Sequence, residues 1–338
     1  MSFPLSLYAS MFYSGSIPTV ISPKGFVLLF VFCCAGVFAQ SKQPAIFRWQ
    51  DSYAKKHLRK YIKHDTLIKT SAAVLHISYN NSTNKPYLLM LHGMGSNARS
   101  NWGSQIGPLS KRFNLILPDL IYFGESTSAS QNYSVEFQVQ QLHEALLALG
   151  MADSLNVMGF SYGGLTAAMY NELYQPSVKK LIIIDGPVKF FSTQMADSLA
   201  KNVGVNGMNN VISPTNLTEF KGMTKAVMSS GFPATRRLKK KLIKYFFMPT
   251  KALRDEQMNY LTVHQASYQA YNYGLDKTKT LLIWGQKDGV IPMSVGKALH
   301  QAFPATTTLL LFPKAKHDAH FKERKALNKA VVSFITEQ

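Results

Sequence analysis

Short apolar runs recur along this sequence at Tyr87–Leu91, Leu115–Leu117, Leu155–Met158, within Val178–Pro187, at Thr280–Gly285 and at Thr308–Phe312. Apolar strands without polar alternation are covered on both faces, as in the parallel sheets of α/β proteins. Between them, Tyr133–Met151 carries Val135, Val139, Leu142, Leu146 and Leu149 at helical spacing. Further helices are expected at Trp102–Phe113, Leu165–Tyr170, Val295–Phe303 and Phe321–Thr336. Strand alternating with helix predicts an α/β fold, a mostly parallel β-sheet flanked by helices. Two strands, Thr66–Thr70 and Ala73–Tyr79, precede the alternating part, and the polar stretch 80–86 is their exit loop. From about Val188 to about Asp276 the alternation stops. This stretch is rich in Met, Asn, Lys and aromatics and has no convincing strand, so it predicts an inserted helical cap standing over the sheet edge.

The pattern divides the chain into a signal peptide or N-terminal anchor (1–39), a basic lead-in (40–64), a first core half (65–187), the cap (188–276) and a second core half (277–338). At 338 residues and 46% hydrophobic content the chain can bury a large core, which excludes a disordered protein. Lys24 is the single charge in residues 1–39, and the apolar run Gly25–Ala39 follows it. That run is short for a membrane span, and Val37-Phe38-Ala39 places small residues three and one before a cleavage point. Export with cleavage near Ala39 is therefore expected, with an uncleaved N-terminal anchor as the alternative. Cys33 and Cys34 both lie inside the run, so cleavage would leave a mature chain without thiol or disulfide.

Thirty-seven Lys and Arg against 18 Asp and Glu leave a net charge of +19. Such a balance suits an anionic partner such as a membrane surface. With no zinc-ligand cluster or nucleic-acid motif, nucleic acid is not an expected partner. The basic stretch Arg236–Met248 lies inside the cap and places Leu238, Leu242, Tyr245 and Phe246 on one helical face. Its cations crowd the other face, which is either a solvated cap surface or a contact with anionic lipid. Met195, Met208, Met223, Met228 and Phe232 are candidates for an adaptable acyl pocket, or for plain packing.

The strand Leu155–Met158 runs into Gly159-Phe160-Ser161-Tyr162-Gly163-Gly164 and then into a helix. A Gly-x-Ser-x-Gly pattern in a strand-to-helix turn exposes the serine, and the glycines are needed where side chains would collide across the turn. The Tyr162 N–H lies at the start of the helix, where unpaired donors can stabilise an oxyanion.

With these elements placed, the chain resembles the α/β-hydrolase superfamily over nearly all of its length after residue 39. Gly285-Gln286-Lys287-Asp288 looks like the family's acid loop, and Ala315-Lys316-His317-Asp318-Ala319-His320 resembles its histidine loop, with Lys316 in place of the usual glycine. The resemblance implies a triad of Ser161 as nucleophile, Asp288 as acid and His317 as base, in the chain order of this fold. It also assigns the oxyanion-stabilising backbone N–H groups to Met94 and Tyr162. His320 remains an alternative base and Asp185, also at a strand end, an alternative acid. Asp119 is expected to fix its loop, and His92 to shape the oxyanion loop. A serine rather than an aspartate at the elbow excludes the alkyl-enzyme chemistry of dehalogenase-type relatives and implies a small-molecule acyl substrate. No cofactor or metal is implied. The expected activity is that of a serine esterase or lipase. Alternatives are a carbon–carbon bond hydrolase acting on ring-cleavage products, whose asparagine-bearing segment Ser100-Asn101-Trp102 faintly resembles, an amidase or peptidase, and a catalytically silent binding protein on the same fold.

Overall fold

The computed structural model of the chain describes residues 55–56, 58–82 and 84–337. The signal or anchor segment, Ala39, both cysteines and most of the basic lead-in lie outside the described residues.

Eight strands form one sheet among the described residues: β1 (His64–Lys69), β2 (Val74–Tyr79), β3 (Tyr87–Leu91), β4 (Asn114–Pro118), β5 (Leu155–Phe160), β6 (Val178–Ile184), β7 (Thr280–Gly285) and β8 (Thr307–Phe312). They lie in the order β1-β2-β4-β3-β5-β6-β7-β8. Both pairings of β2 are antiparallel and all the others are parallel. Successive side chains of a strand point to opposite faces, and the unbroken apolar runs follow from that. Leu89, Leu91, Val157, Leu181 and Ile183 enter the core on one face, and Leu88, Met90, Met158, Ile182 and Ile184 the core on the other. The edge strand β1, by contrast, is largely exposed.

In the first core half, α1 (Ala98–Asn101) and α2 (Ile106–Leu109) follow β3, α3 (Val135–Ala148) follows β4, and α4 (Tyr162–Leu173) follows β5. Ser134 caps α3 by accepting from the Phe137 N–H. Of the single helix expected at Trp102–Phe113 only the turn Ile106–Leu109 forms, and a second one-turn piece, Ala98–Asn101, lies just before the expected span. Asn97 starts the earlier piece, and Gly103 separates it from the later one, which contains Gly107-Pro108, a pair that disfavours continuation in either direction.

Between β6 and β7 every element is a helix. The chain there forms α5 (Thr193–Asn202), α6 (Met208–Ile212), α7 (Leu217–Val227), α8 (Arg236–Leu242), α9 (Lys251–Val263) and α10 (Gln265–Ala270). A π-helical turn, Ile243–Phe247, follows α8 directly. The wider turn rotates the apolar face, so Leu242, Ile243, Phe246 and Phe247 are buried while Tyr245 and Leu238 are only half-buried. The second core half adds α11 (Met293–Ala302), α12 (Ala319–Lys322) and α13 (Arg324–Thr336), the last two dividing the helix expected at Phe321–Thr336 around Glu323.

One polar cluster, buried at His76 and Asp119 and exposed at Asp65, ties the antiparallel edge to the parallel sheet. His76 of β2 bonds Asp65 of β1 at 2.7 Å and Asp119, just past β4, at 2.9 Å. Burial alone would lower the His76 pKa, but the two carboxylates outweigh it and raise the value from 6.5 to about 9. A raised histidine pKa contributes stability that is complete below the unfolded value and is lost as pH rises through the folded one. The urea midpoint should therefore fall between pH 7 and pH 10, and His76→Gln should flatten that fall; an unchanged slope in the variant would contradict this account.

Candidate active site

The tight turn from β5 into α4 holds Ser161 at φ 54°, ψ −123°. Non-glycine residues rarely occupy positive φ, at a cost of about 1–3 kcal/mol. Two contacts explain why the turn is so tight. A Cβ on Gly159 would stand 1.9 Å from the Gly163 carbonyl oxygen, and one on Gly163 2.2 Å from that of Leu91. The Ser161 N–H donates to Ile184 O of β6 at 2.9 Å, and its carbonyl accepts from Gly164 at 2.8 Å. The hydroxyl is thereby presented at the carboxyl ends of the strands.

His317, in the loop after β8, places Nε2 3.0 Å from Ser161 Oγ and Nδ1 2.8 Å from Asp288 Oδ2. A carboxylate oxygen can only accept, so Nδ1 carries the ring proton and Nε2 presents its lone pair to the serine hydroxyl. Asp288 lies in the loop after β7. Its other oxygen accepts from the Val290 and Ile291 N–H groups at 2.7 and 2.9 Å, which fixes the carboxylate plane. The loop after β8 is itself anchored to the cap: Asp318 accepts from Ser229 N–H and hydroxyl, and Ser229 Oγ accepts from Lys316 N–H.

The alternative residues occupy other positions. Asp185, at the end of β6, is fully buried and accepts from Gly285 N–H through Oδ1, while Oδ2 has no hydrogen-bond acceptor or donor of ordinary geometry. Burial and the adjacent Asp288 charge push its pKa well above the ordinary carboxylate value. The neutral form of Asp185 is thereby favoured, while Asp288 turns Oδ2 to His317. Asp185, Asp288 and His317 offer ligand atoms within 4.8 Å of one another. However, the His317 nitrogens are committed to Asp288 and Ser161, an arrangement that suits proton transfer. His320 is buried with neither ring nitrogen hydrogen-bonded among the described residues, packed on Phe160 and Phe321, and burial favours its neutral form.

The loop after β3 is held from below. His92 Nδ1 donates to Gly93 O at 2.8 Å, and Nε2 accepts from Leu120 N–H at 2.9 Å. Asp119 accepts from Ala98 N–H and Glu125 N–H, so it fixes its surroundings and is remote from His317's partners. Asn101 Oδ1 accepts from Gly93 N–H at 3.2 Å. Met94 and Tyr162 line the same cavity as Ser161, and neither N–H has a backbone acceptor among the described residues.

Two cavities meet at Ser161, with Met94, Ile212 and Val290 on both walls. The larger, about 450 Å³, runs under the cap past Leu165, Met208, Met258 and Leu261. The smaller, about 130 Å³, has His317 in its wall, together with Met223, Phe247 and Arg254 from the cap. Of the candidate pocket residues, Met208 and Met223 line these cavities. Met228 and Phe232 are packed in the core, and Met195 is 37% exposed. The sequence reading missed Arg254. Nothing in its local pattern separates it from the surface cations around it.

A family model for the alpha/beta hydrolase fold matches residues 86–324. The chain is 28% identical over 225 residues to Lipase 1 of Psychrobacter immobilis, covering 66% of this chain and 69% of that one. It is 25% identical over 271 residues to a 2-hydroxy-6-oxononadienedioate/2-hydroxy-6-oxononatrienedioate hydrolase of Pseudomonas putida, covering 78% and 92%. A crystal structure of a putative lipase from Acinetobacter baumannii superimposes with TM-score 0.71 at 19% identity, covering 84% of this chain and 95% of that one; at that identity the likeness speaks to the fold alone.

If Asp185 is the proton-bearing partner, Asp185→Asn replaces it with a neutral group of the same shape. It also removes the proton uptake that folding imposes on this carboxyl above pH 3.8. Urea unfolding at pH 7 should then find the variant at least as stable as the parent, whereas a loss of about 2 kcal/mol or more would show Asp185 to be ionised and paired.

Proposed function

Because the chain belongs to the alpha/beta hydrolase family, we propose that it is a serine hydrolase cleaving a carboxylic ester through an acyl-enzyme on Ser161. The observation that carries this reading is the unbroken hydrogen-bond chain from Asp288 through His317 to the Ser161 hydroxyl, 2.8 and 3.0 Å long. A serine hydroxyl is a poor nucleophile at neutral pH. His317 Nε2 takes its proton as Oγ attacks the ester carbonyl, then delivers that proton to the departing alcohol. Asp288 holds the proton-bearing Nδ1 and stabilises the imidazolium that forms. The Met94 and Tyr162 N–H groups receive the negative charge that develops on the carbonyl oxygen, and the Tyr162 donor gains from its place at the helix start. Water then attacks the acyl-enzyme, with His317 again as base, and releases the acid.

The large cavity, with Leu165, Met208, Met258 and Leu261 in its wall, favours an acyl chain over acetate. Each buried methylene adds about 0.8 kcal/mol, so hydrolysis of nitrophenyl esters should rise with chain length until the cavity is filled. Ser161→Ala should lower turnover by about a thousandfold or more. A chain-length series showing equal turnover in the variant would overturn the assignment of Ser161.

One specific observation favours a second reading, a carbon–carbon bond hydrolase. The Pseudomonas putida relative is covered over 92% of its length, and Asn101 stands beside the loop after β3. Turnover of a vinylogous diketone acid with none of any ester would establish that reading in place of the first. Amide hydrolysis uses the same groups and is tested by anilides of the same acids. A silent binding role would leave every substrate intact.

We also propose that the protein is exported by its apolar leader and rests on anionic membrane through the cap. Arg236, Arg237, Lys240 and Lys244 are exposed, as is Met248 of the same stretch, at 54%. Each basic residue near an anionic surface adds roughly 1 kcal/mol. Sedimentation with phosphatidylglycerol vesicles should exceed that with phosphatidylcholine vesicles and weaken as salt is raised; equal binding to both would remove this contact.

A further inference from the structure

We propose that the small cavity beside His317 is an anion subsite, in which Arg254 and Asn101 hold a carboxylate or phosphate carried by the substrate's leaving alcohol. The inference rests on the ester hydrolase reading for which part of the substrate lies there, and on the cavity itself for the charge.

Arg254, on α9, is only 3% exposed. Its Nη2 donates to the Phe247 carbonyl, and its guanidinium lies 5.6 Å from the Phe247 ring centre. Nε has no partner, and among the described residues no carboxylate comes within ion-pair distance of Arg254. The neighbouring Asp255 is paired with Lys251 at 2.8 Å instead. Buried cations are normally paired, because desolvating a lone charge costs several kcal/mol. Burial lowers this guanidinium only to about 10, so it is charged at neutral pH.

The protein leaves room for this cation at the point where it meets the loop after β3. A Cβ built on Gly95 would stand 3.1 Å from Nη1 and 3.5 Å from Cδ. Two further groups with unmet hydrogen-bonding capacity line the same cavity. Asn101 has its oxygen committed to Gly93 N–H, which leaves Nδ2 as a buried donor without an acceptor, and His320 has neither ring nitrogen hydrogen-bonded among the described residues. Asp318 also lines the cavity, but both its oxygens are occupied by Ser229. Convergent donors around one uncompensated cation are what a carboxylate or phosphate requires.

Geometry also says which end of the substrate this is. His317 must hand its proton to the departing oxygen, so the leaving group lies on the His317 side of Ser161. His317 lines the small cavity, whereas the large one is walled by Tyr162 and Leu165 without it. The acyl chain then takes the large cavity, and a small anionic alcohol of a few heavy atoms takes the other.

Calorimetric titration of the Ser161→Ala protein separates binding from turnover. The ligands are octanoyl glycolate, its neutral analogue octanoyl glycolamide, and 2-(octanoyloxy)ethyl phosphate. One or both anionic esters should bind at least about tenfold tighter than the amide, the scale of a hydrogen-bonded charge, and the better of the two identifies the anion. Adding Arg254→Gln should abolish that preference, and Arg254→Lys should retain part of it. Should Arg254→Gln fail to fold, the anionic-to-neutral ratio in the parent Ser161→Ala protein decides by itself. Equal affinity for all three would overturn the subsite and mean that the donors hold only water. If the active enzyme hydrolyses the amide ester while no anion is preferred, the subsite falls and the hydrolase reading stands. If the anions are preferred but no ester is cleaved, the hydrolase reading falls and the subsite remains.

Discussion

The backbone of Ser161, held at positive φ between two glycines that cannot carry a side chain, is the constraint on which the rest of the site depends. A Cβ at Gly159 or Gly163 would occupy space already filled by carbonyl oxygens. The turn can therefore form only where β5 and α4 approach that closely. Its N–H is tied to the end of β6. The parallel register of β5, β6 and β7 then brings the loops bearing Ser161, Asp185 and Asp288 to one edge, and β8 adds the loop bearing His317. The local strain, about 1–3 kcal/mol, is small beside the burial of apolar side chains on both faces of these strands.

Around this turn the charges are arranged to be compensated in one direction and uncompensated in another. Burial and the neighbouring Asp288 favour the neutral form of Asp185, while Asp288 Oδ2 faces His317 Nδ1. On the other side of the same serine, Arg254 is buried with no carboxylate at ion-pair distance among the described residues. One arrangement fixes the His317 ring between Asp288 and Ser161, and the other is the basis of the proposed anion subsite. The net charge of +19 raises the local concentration of anions generally, but it is spread over exposed lysines and does not account for a guanidinium packed under the cap.

The fold was legible because strand runs such as Leu88-Leu89-Met90-Leu91 are buried on both faces and therefore show no polar alternation. Ser161, Asp288 and His317 were legible because each sits at a strand end, where the order of elements fixes its place. What the sequence concealed has physical reasons. The break near Trp102 reflects Gly103 and the Gly107-Pro108 pair, local features within an otherwise helical spacing. The rotation of the cap face at Ile243–Phe247 comes from a π turn, which no 3.6-residue periodicity reveals. Arg254 is one cation among many in a basic cap, and only tertiary packing of α9 against the loop after β3 sets it apart. Asp185 and Asp288 both end strands, and which of them faces the histidine depends on packing.

The central claim is that Ser161 is a nucleophile activated by His317. Treating the protein with a fluorophosphonate and mapping the adduct by peptide mass spectrometry tests it without knowledge of the natural substrate. The account predicts one adduct, on the peptide containing Ser161, formed far more slowly in His317→Gln. An unlabelled Ser161, or labelling that proceeds equally fast without His317, would contradict it.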